Sequence, residues 1–291
     1  MDRKSREWIL MAAVVVLCAT PAFSQSFIYE GCSVETYVDD SNYDDNLQSL
    51  LGNLLSQASN TKYTNATVGS SGGDAVYGLY QCRGDLGGTD CQNCIRNAES
   101  QLARVCVRTR GARIQLDGCS LHYDRVNFFG VPDNNVIYKI CGGGLGNDVN
   151  GNFYGHLTAV LTGLQSGSFI NGNGFRLSNS GDSRTGYVHG LAQCQGDLSL
   201  SDCNTCMAAA VQRLKDVCGS AVSGQVYLGK CYARYAQDAF YTDHSRDHDN
   251  DDHDDNDDAG KTVAIILGLL AGVALIVVFL SFLKQLFKHR K

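Results

Sequence analysis

The sequence predicts an α+β chain: two tandem disulfide-rich domains, each an antiparallel sheet covered by two helices, plus one C-terminal transmembrane helix. Three observations predict it. Twelve of the thirteen cysteines form two ladders of six, Cys32, Cys82, Cys91, Cys94, Cys106, Cys119 and Cys141, Cys194, Cys203, Cys206, Cys218, Cys231. The last five rungs of each obey C-x8-C-x2-C-x11-C-x12-C at a constant offset of 112 residues. Such a match is an internal duplication. Apolar residues follow helical periodicity in two places per copy, and one long uncharged run lies near the C-terminus.

The duplication reaches beyond cysteine. Val76, Gly78, Leu79, Gln81, Cys82, Gly84, Asp85 and Leu86 match Val188, Gly190, Leu191, Gln193, Cys194, Gly196, Asp197 and Leu198. Tyr123 matches Tyr235 and Phe128 matches Phe240. Between the first and second cysteines the offset slips to 109, which reads as a change of loop length inside a shared fold.

Each element has a reason. Leu47, Leu50, Leu51, Leu54, Leu55 and Ala58 share one helix face, and Leu157, Val160, Leu161 and Leu164 are their counterpart. A second helix is capped by Thr89 or Ser201. It carries Cys91, Cys94, Ile95, Ala98, Leu102 and Val105, or Cys203, Cys206, Met207, Ala210, Leu214 and Val217. Its CxxC cysteines fall on the buried side of its first turn. Strand-like segments are Ala75–Cys82, Arg113–Leu116, Leu121–Tyr123 and Val136–Ile140, then Tyr187–Cys194, Val226–Leu228 and Tyr232–Tyr235. The copies join near Pro132–Asn135 with almost no linker, so rigid packing is expected.

Segments bracket the repeats. Arg3, Lys4 and Arg6, the apolar run Ile9 to Cys18, and Pro21-Ala22-Phe23-Ser24 read as a signal peptide over 1–24. Its removal would take away Cys18, leaving twelve cysteines, all in the ladders. The domains are placed at 25–133 and 134–241, an Asp/His-rich extracellular spacer at 242–260, a transmembrane helix at 261–283 and a cytoplasmic tail at 284–291. The uncharged run Thr262 to Leu283 suffices for a ~30 Å hydrocarbon core. Asp-rich sequence precedes it, and Lys284, Lys288, Arg290 and Lys291 follow, so the expected topology is single-pass type I with the N-terminus outside. Eight tail residues cannot form a kinase, so signalling would pass through partners.

Charge excludes one class of function. The net charge is −6, and no basic footprint for nucleic acid is present. Secretion and an even cysteine count favour structural disulfides over zinc or thiol redox chemistry at Cys91-x2-Cys94 and Cys203-x2-Cys206. Spacing alone leaves the connectivity open. Three histidines, His122, His156 and His189, stand scattered without a nucleophile motif, so no catalytic residues are assigned and the chain is read as not an enzyme. No metal site or cofactor is expected. Nine aspartates with His244, His248 and His253 read as a solvated, self-repelling spacer, with weak cation capture as the sharper alternative. Gly268-x3-Gly272, extended by Ala264, gives a small-residue face for helix self-association. Asn65-Ala66-Thr67 is a glycosylation sequon.

The C-x8-C-x2-C core, preceded by G-L-x-Q-C and followed by G-D-L, resembles the ginkbilobin-type, or stress-antifungal, cysteine-rich repeat domain of plants. Two such domains, a membrane helix and a very short tail resemble the plasmodesmata-located proteins. The resemblance implies pairing of first with fifth, second with third and fourth with sixth cysteine. Here that gives Cys32–Cys106, Cys82–Cys91, Cys94–Cys119, Cys141–Cys218, Cys194–Cys203 and Cys206–Cys231. It also implies residence in the plasma membrane at plasmodesmata and restriction of cell-to-cell traffic through callose deposition. Roles in plant defence, receptor-like kinases or other membrane partners, and docking by viral movement proteins are implied with it.

The resemblance further implies a mannose site. By position it falls on Ser33, Arg113 and Asp124 in the first repeat and on Gly142, Gln225 and Ala236 in the second. The first set keeps the charged pair and lacks the amide; the second keeps nothing. Arg and carboxylate could still bond sugar hydroxyls. The plainer expectation is a salt bridge between Arg113 and Asp124, and weak or no mannose binding. The rival readings are therefore a membrane-tethered lectin with antimicrobial function or a co-receptor ectodomain touching cell-wall glycan, and a thiol oxidoreductase using Cys91 and Cys94.

Overall fold

The computed structural model describes residues 26–70, 73–143, 152–170, 174–182 and 186–237. The signal peptide, the spacer, Phe240, the transmembrane segment with Ala264, Gly268 and Gly272, and the tail lie outside them. The first repeat runs β1 Phe27–Cys32, α1 Asn42–Gln57, β2 Tyr63–Val68, β3 Val76–Cys82, α2 Gly88–Val105, β4 Gly111–Leu116, β5 Cys119–Asp124. The second repeats that order: β6 Val136–Cys141, α3 Asn152–Ser166, β7 Phe175–Asp182, β8 Gly186–Cys194, α4 Leu200–Cys218, β9 Ser223–Leu228, β10 Cys231–Gln237.

Each repeat builds one five-stranded antiparallel sheet, in the orders β1-β4-β5-β3-β2 and β6-β9-β10-β8-β7. One face of each sheet is covered by two helices. Tyr43, Leu47, Leu50 and Leu54 of α1, with Cys94, Ile95, Ala98 and Leu102 of α2, close the first core over Val76, Tyr80, Ile114 and Leu121. Phe153, Leu157, Val160 and Leu164 do the same with Met207, Ala210 and Leu214 in the second. A Cβ on Gly78 would sit 2.6 Å from Leu50 Cδ2, and one on Gly190 would strike Val160. These glycines therefore let α1 and α3 lie directly on β3 and β8.

Three of the ten strands are absent from the sequence reading: β1, β2 and β7. Each is a sheet edge, half exposed, and edges lack a clear alternating pattern. Val136–Ile140 opens the second sheet. The caps also shift by two residues. Ser199, whose side chain accepts from Asp202 N, precedes α4, and Gly87, without a side-chain cap bond, precedes α2. Val105 and Val217 end exposed at the helix C-termini instead of in the core.

The six disulfides are Cys32–Cys106, Cys82–Cys91, Cys94–Cys119, Cys141–Cys218, Cys194–Cys203 and Cys206–Cys231. Cys91 and Cys94 are bonded to different partners, so this CxxC is not a dithiol pair, and the oxidoreductase reading loses its site. In each domain the bridges tie both ends of the second helix to the sheet.

The faces turned away from the helices meet each other. Gln81 Oε1 accepts from Gly196 N at 2.9 Å, and Gln193 Oε1 accepts from Gly84 N at 3.1 Å. These are the same two motif positions, used reciprocally. Gln193 Nε2 also donates to Cys82 O at 3.0 Å, and Gln81 Nε2 to Cys82 O at 3.0 Å and Lys62 O at 3.2 Å. A Cβ at Gly84 would run into the Phe175 ring, and one at Gly196 into the Tyr63 ring. Tyr63 and Phe175 stand 112 residues apart, so this contact is also reciprocal.

A bulge in β1 between Phe27 and Tyr29, matched by one in β6 between Val136 and Tyr138, re-aims a tyrosine in each copy. Tyr29 and Tyr138 stack at 5.8 Å, and Tyr29 meets Tyr227 edge-on at 5.7 Å.

Replacing Gln193 by Ala removes one acceptor from this clasp and strands the Gly84 amide. The expected cost is about 2 kcal/mol. Amide exchange at Gly84 should rise at least about tenfold while near-ultraviolet dichroism of the cores stays unchanged. Unaltered exchange at Gly84 would show that the clasp does not hold the domains.

Candidate functional site

Three strands in a row build the first-repeat pocket. Register sets Gly31 of β1 beside Arg113 of β4, and Arg113 beside His122 of β5. Paired residues in an antiparallel ladder share a face, so these three form one row. Gly111 pairs with Asp124 two residues on, and Ser33 follows β1, its N–H donating to Gly111 O at 2.7 Å. A Cβ at Gly111 would sit 2.6 Å from Asp124 Oδ2. The two glycines are thus the floor of a pocket of about 330 Å³, and Ser33, Arg113, His122 and Asp124 are its polar walls.

The structure therefore brings together the three residues that the sequence picked out, and adds His122. The expected Arg113–Asp124 salt bridge is absent among the described ion pairs. Asp124 Oδ1 instead accepts from Val126 N at 2.9 Å, and Ser33 Oγ accepts from Glu35 N at 3.1 Å. The carboxylate folds back on its own turn, because β5 ends there and Val126 N needs an acceptor.

His122 carried no motif in the sequence, and its counterpart is Arg234. Its signal lay in the linker: Phe128 stacks on the imidazole at 3.9 Å. Burial, with Arg113 and Lys230 nearby, holds its pKa well below the usual imidazole value, so it is neutral at pH 7. A neutral imidazole, a guanidinium, a hydroxyl and a carboxylate can together hydrogen-bond a small polyhydroxylated ligand.

The second repeat keeps no such arrangement. Ser223 stands where Gly111 stands, and its Oγ lies where a Cβ on Gly142 would go. Gln225 Oε1 is taken by Tyr227 OH at 3.0 Å, and Ala236 is buried. Arg234 crosses to the first domain and pairs with Asp117, which Arg83 also holds at 2.6 Å. Lys230 reaches back, to Asp197 at 2.5 Å and Phe128 O at 3.0 Å, while Gly130 N donates to Asp197 Oδ2 at 2.9 Å. The connection between β5 and β6, which carries Phe128 and Gly130, is thereby pinned to the second domain, and Phe128 stacks over His122 of the first.

The salt stress response/antifungal domain model matches residues 31–126 and 140–238. The chain belongs to the plasmodesmata-located protein family. It is similar to plasmodesmata-located protein 6 of Arabidopsis thaliana, 42% identical over 283 residues, with 95% of each chain covered. It is also similar to plasmodesmata-located protein 7 of the same plant, 40% identical over 95% of this chain and 88% of the relative. Among solved structures it matches the tandem DUF26 ectodomain of the Arabidopsis thaliana cysteine-rich receptor-like protein PDLP8. That match has a TM-score of 0.67 and 40% identity, and covers 74% of this chain and 99% of that one.

The charged contacts of this family member give a pH prediction. Although burial opposes ionisation, the Arg234 and Arg83 guanidinium groups hold the Asp117 carboxyl below the usual carboxylate range. A depressed carboxylate contributes its stability above the unfolded value, near 3.9, and loses it as pH falls through the folded value. Interdomain packing should therefore be unchanged by Asp117 titration from pH 7 to about 5 and weaken below about 4. Thermal unfolding of wild type against Asp117→Asn tests it: the variant should be less stable at pH 6 and show a flatter acid limb. Parallel curves would overturn it.

Proposed function

We propose that this chain acts at plasmodesmata as a non-enzymatic, single-pass type I membrane protein with its tandem ectodomain outside the cell. The carrying observation is similarity, over nearly the whole chain, to relatives named for that location. The physical argument is consistent with it. Six bridges and a reciprocal clasp make a rigid ectodomain with a small polar pocket, suited to holding partners and ill suited to turnover. In this reading it restricts cell-to-cell traffic by promoting callose deposition through recruited membrane partners such as receptor-like kinases. Defence signalling and docking of viral movement proteins belong to the same reading, and the Gly268-x3-Gly272 face supplies self-association.

A second reading, a membrane-tethered lectin, is favoured by one observation: Arg113 lines the pocket without an ion pair among the described residues. The missing amide at Ser33 argues against mannose.

Two experiments separate these readings. A fluorescent fusion should mark wall puncta that stain for callose and reduce dye spread on overexpression, with targeting lost when residues 261–283 are swapped for an unrelated membrane helix. Uniform membrane signal with unchanged dye movement would sink the plasmodesmal reading. Calorimetry of the ectodomain with mannose should show no low-micromolar binding; such binding, lost in Arg113→Ala, would establish the lectin.

A further inference from the structure

We propose that the first sugars of an N-linked glycan on Asn65 lie in a groove between the two domains and brace them. The groove encloses about 590 Å³, within the ~300–1,000 Å³ range of small-ligand sites. Its walls include Asn60, Lys62 and Tyr63 from the first domain and Phe169, Leu198 and Leu200 from the second. The wall chemistry is that of a saccharide site. Two aromatic rings offer apolar faces, Asn60 offers a donor, and Lys62, whose Nζ also donates to Gly84 O, is the one charged side chain among the described lining residues. Phe169 is fixed by the Arg176 guanidinium 4.2 Å above its ring, and Arg176 is itself anchored on Leu164 O, Gln165 O and Asn204. Leu200, by contrast, is 66% exposed, a large apolar side chain at the groove wall with little covering it.

The occupant is supplied by this chain. Asn65 heads the sequon Asn65-Ala66-Thr67 and is exposed on β2, an edge strand with no neighbour on its outer side in the sheet. Its Nδ2, the atom that takes the sugar, lies 2.7 Å from Tyr63 OH, and Tyr63 is a groove wall. Residues i and i+2 of a strand share a face, so Asn65 and Tyr63 project on the same side of the sheet. Transfer from a lipid-linked oligosaccharide diphosphate forms a C–N bond between sugar C1 and Nδ2. The amide nitrogen loses one proton and the lipid diphosphate leaves with the C–O bonding pair. The product amide keeps one N–H, which can still donate to Tyr63 OH, so the hydrogen bond that now orients Asn65 would orient the attached sugar.

The equivalent positions in the other repeat carry different residues. The residue equivalent to Gln195, which lines the groove, is Arg83, and Arg83 is folded onto Asp85 and Asp117. The position equivalent to Leu200 is Gly88.

The test uses the full chain purified from a plant secretory host. Peptide mass mapping reads Asn65 occupancy, and hydrogen exchange of Asn60–Tyr63 and Gln195–Leu200 is compared before and after enzymatic glycan removal. Occupancy is expected, and removal should speed exchange in both segments about fivefold, the effect of uncovering roughly 40 Å² of apolar surface. Thr67→Ala, which removes the sequon and keeps Asn65, should match the deglycosylated protein. Leu200→Ser should keep the glycan and lose most of the effect of its removal. An unmodified Asn65, or exchange unchanged by glycan removal, would overturn the proposal.

Discussion

Two glutamines hold the tandem domains together. Gln81 and Gln193 occupy the same place in the duplicated motif, and each carbonyl oxygen accepts the backbone N–H of the other copy's motif glycine. Both side chains are almost fully buried, so each bond is made where an unpaired amide would cost about 1–3 kcal/mol. The clasp can form only if Gly84 and Gly196 carry no Cβ, since the Phe175 and Tyr63 rings occupy that space. It therefore fixes which faces meet, in which register, and with which loops at the rim. The pinned linker and the groove beneath Tyr63 depend on that arrangement, whereas the pocket beside Arg113 is built by the register of β1, β4 and β5.

A symmetric clasp leaves the two halves free to diverge around it, and the divergence occurs in matched pairs. Asp117 has Gly229 as its counterpart, and His122 has Arg234. Those two changes remove the symmetric copies of the pair, so Arg234 reaches across to Asp117, which Arg83 also holds. Gly118 has Lys230 as its counterpart, and Lys230 takes Asp197 and the linker carbonyl of Phe128. Where the second copy spends its cation on the interface, the first keeps a neutral imidazole and an arginine for its pocket. The asymmetry of the two pocket regions thus follows from the asymmetry of charge across a symmetric contact.

Much of this was legible, for identifiable reasons. The helix faces of α1 and α3 were visible because leucines at three- and four-residue spacing have no other explanation. The motif glycines, glutamines and aspartates were visible as repeats, but their purpose was not. Gln81 and Gly196 are 115 residues apart, and nothing local marks two positions that meet through a two-fold relation between copies. The edge strands β1, β2 and β7 escaped because half-exposed strands carry weak alternation. Ser33, Arg113 and Asp124 were found through family position, and His122 was missed because its importance comes from Phe128, which belongs to the linker. The expected Arg113–Asp124 bridge failed for a local reason: a carboxylate at a strand end was claimed first by the backbone of the following turn.

The division of labour between the two sheet faces explains why both disulfides and clasp are needed. A domain of about 105 residues buries only a modest core, and its helix-covered face carries all three bridges. Those bridges stabilise each domain but do nothing to orient one against the other. Orientation rests on the opposite face, which in an isolated domain would expose buried glutamines, a tyrosine row and unpaired charges to solvent. Paired, it becomes specific, because buried hydrogen bonds penalise every register except the one that satisfies them. A duplicated domain with this chemistry docks on its own copy in a single arrangement.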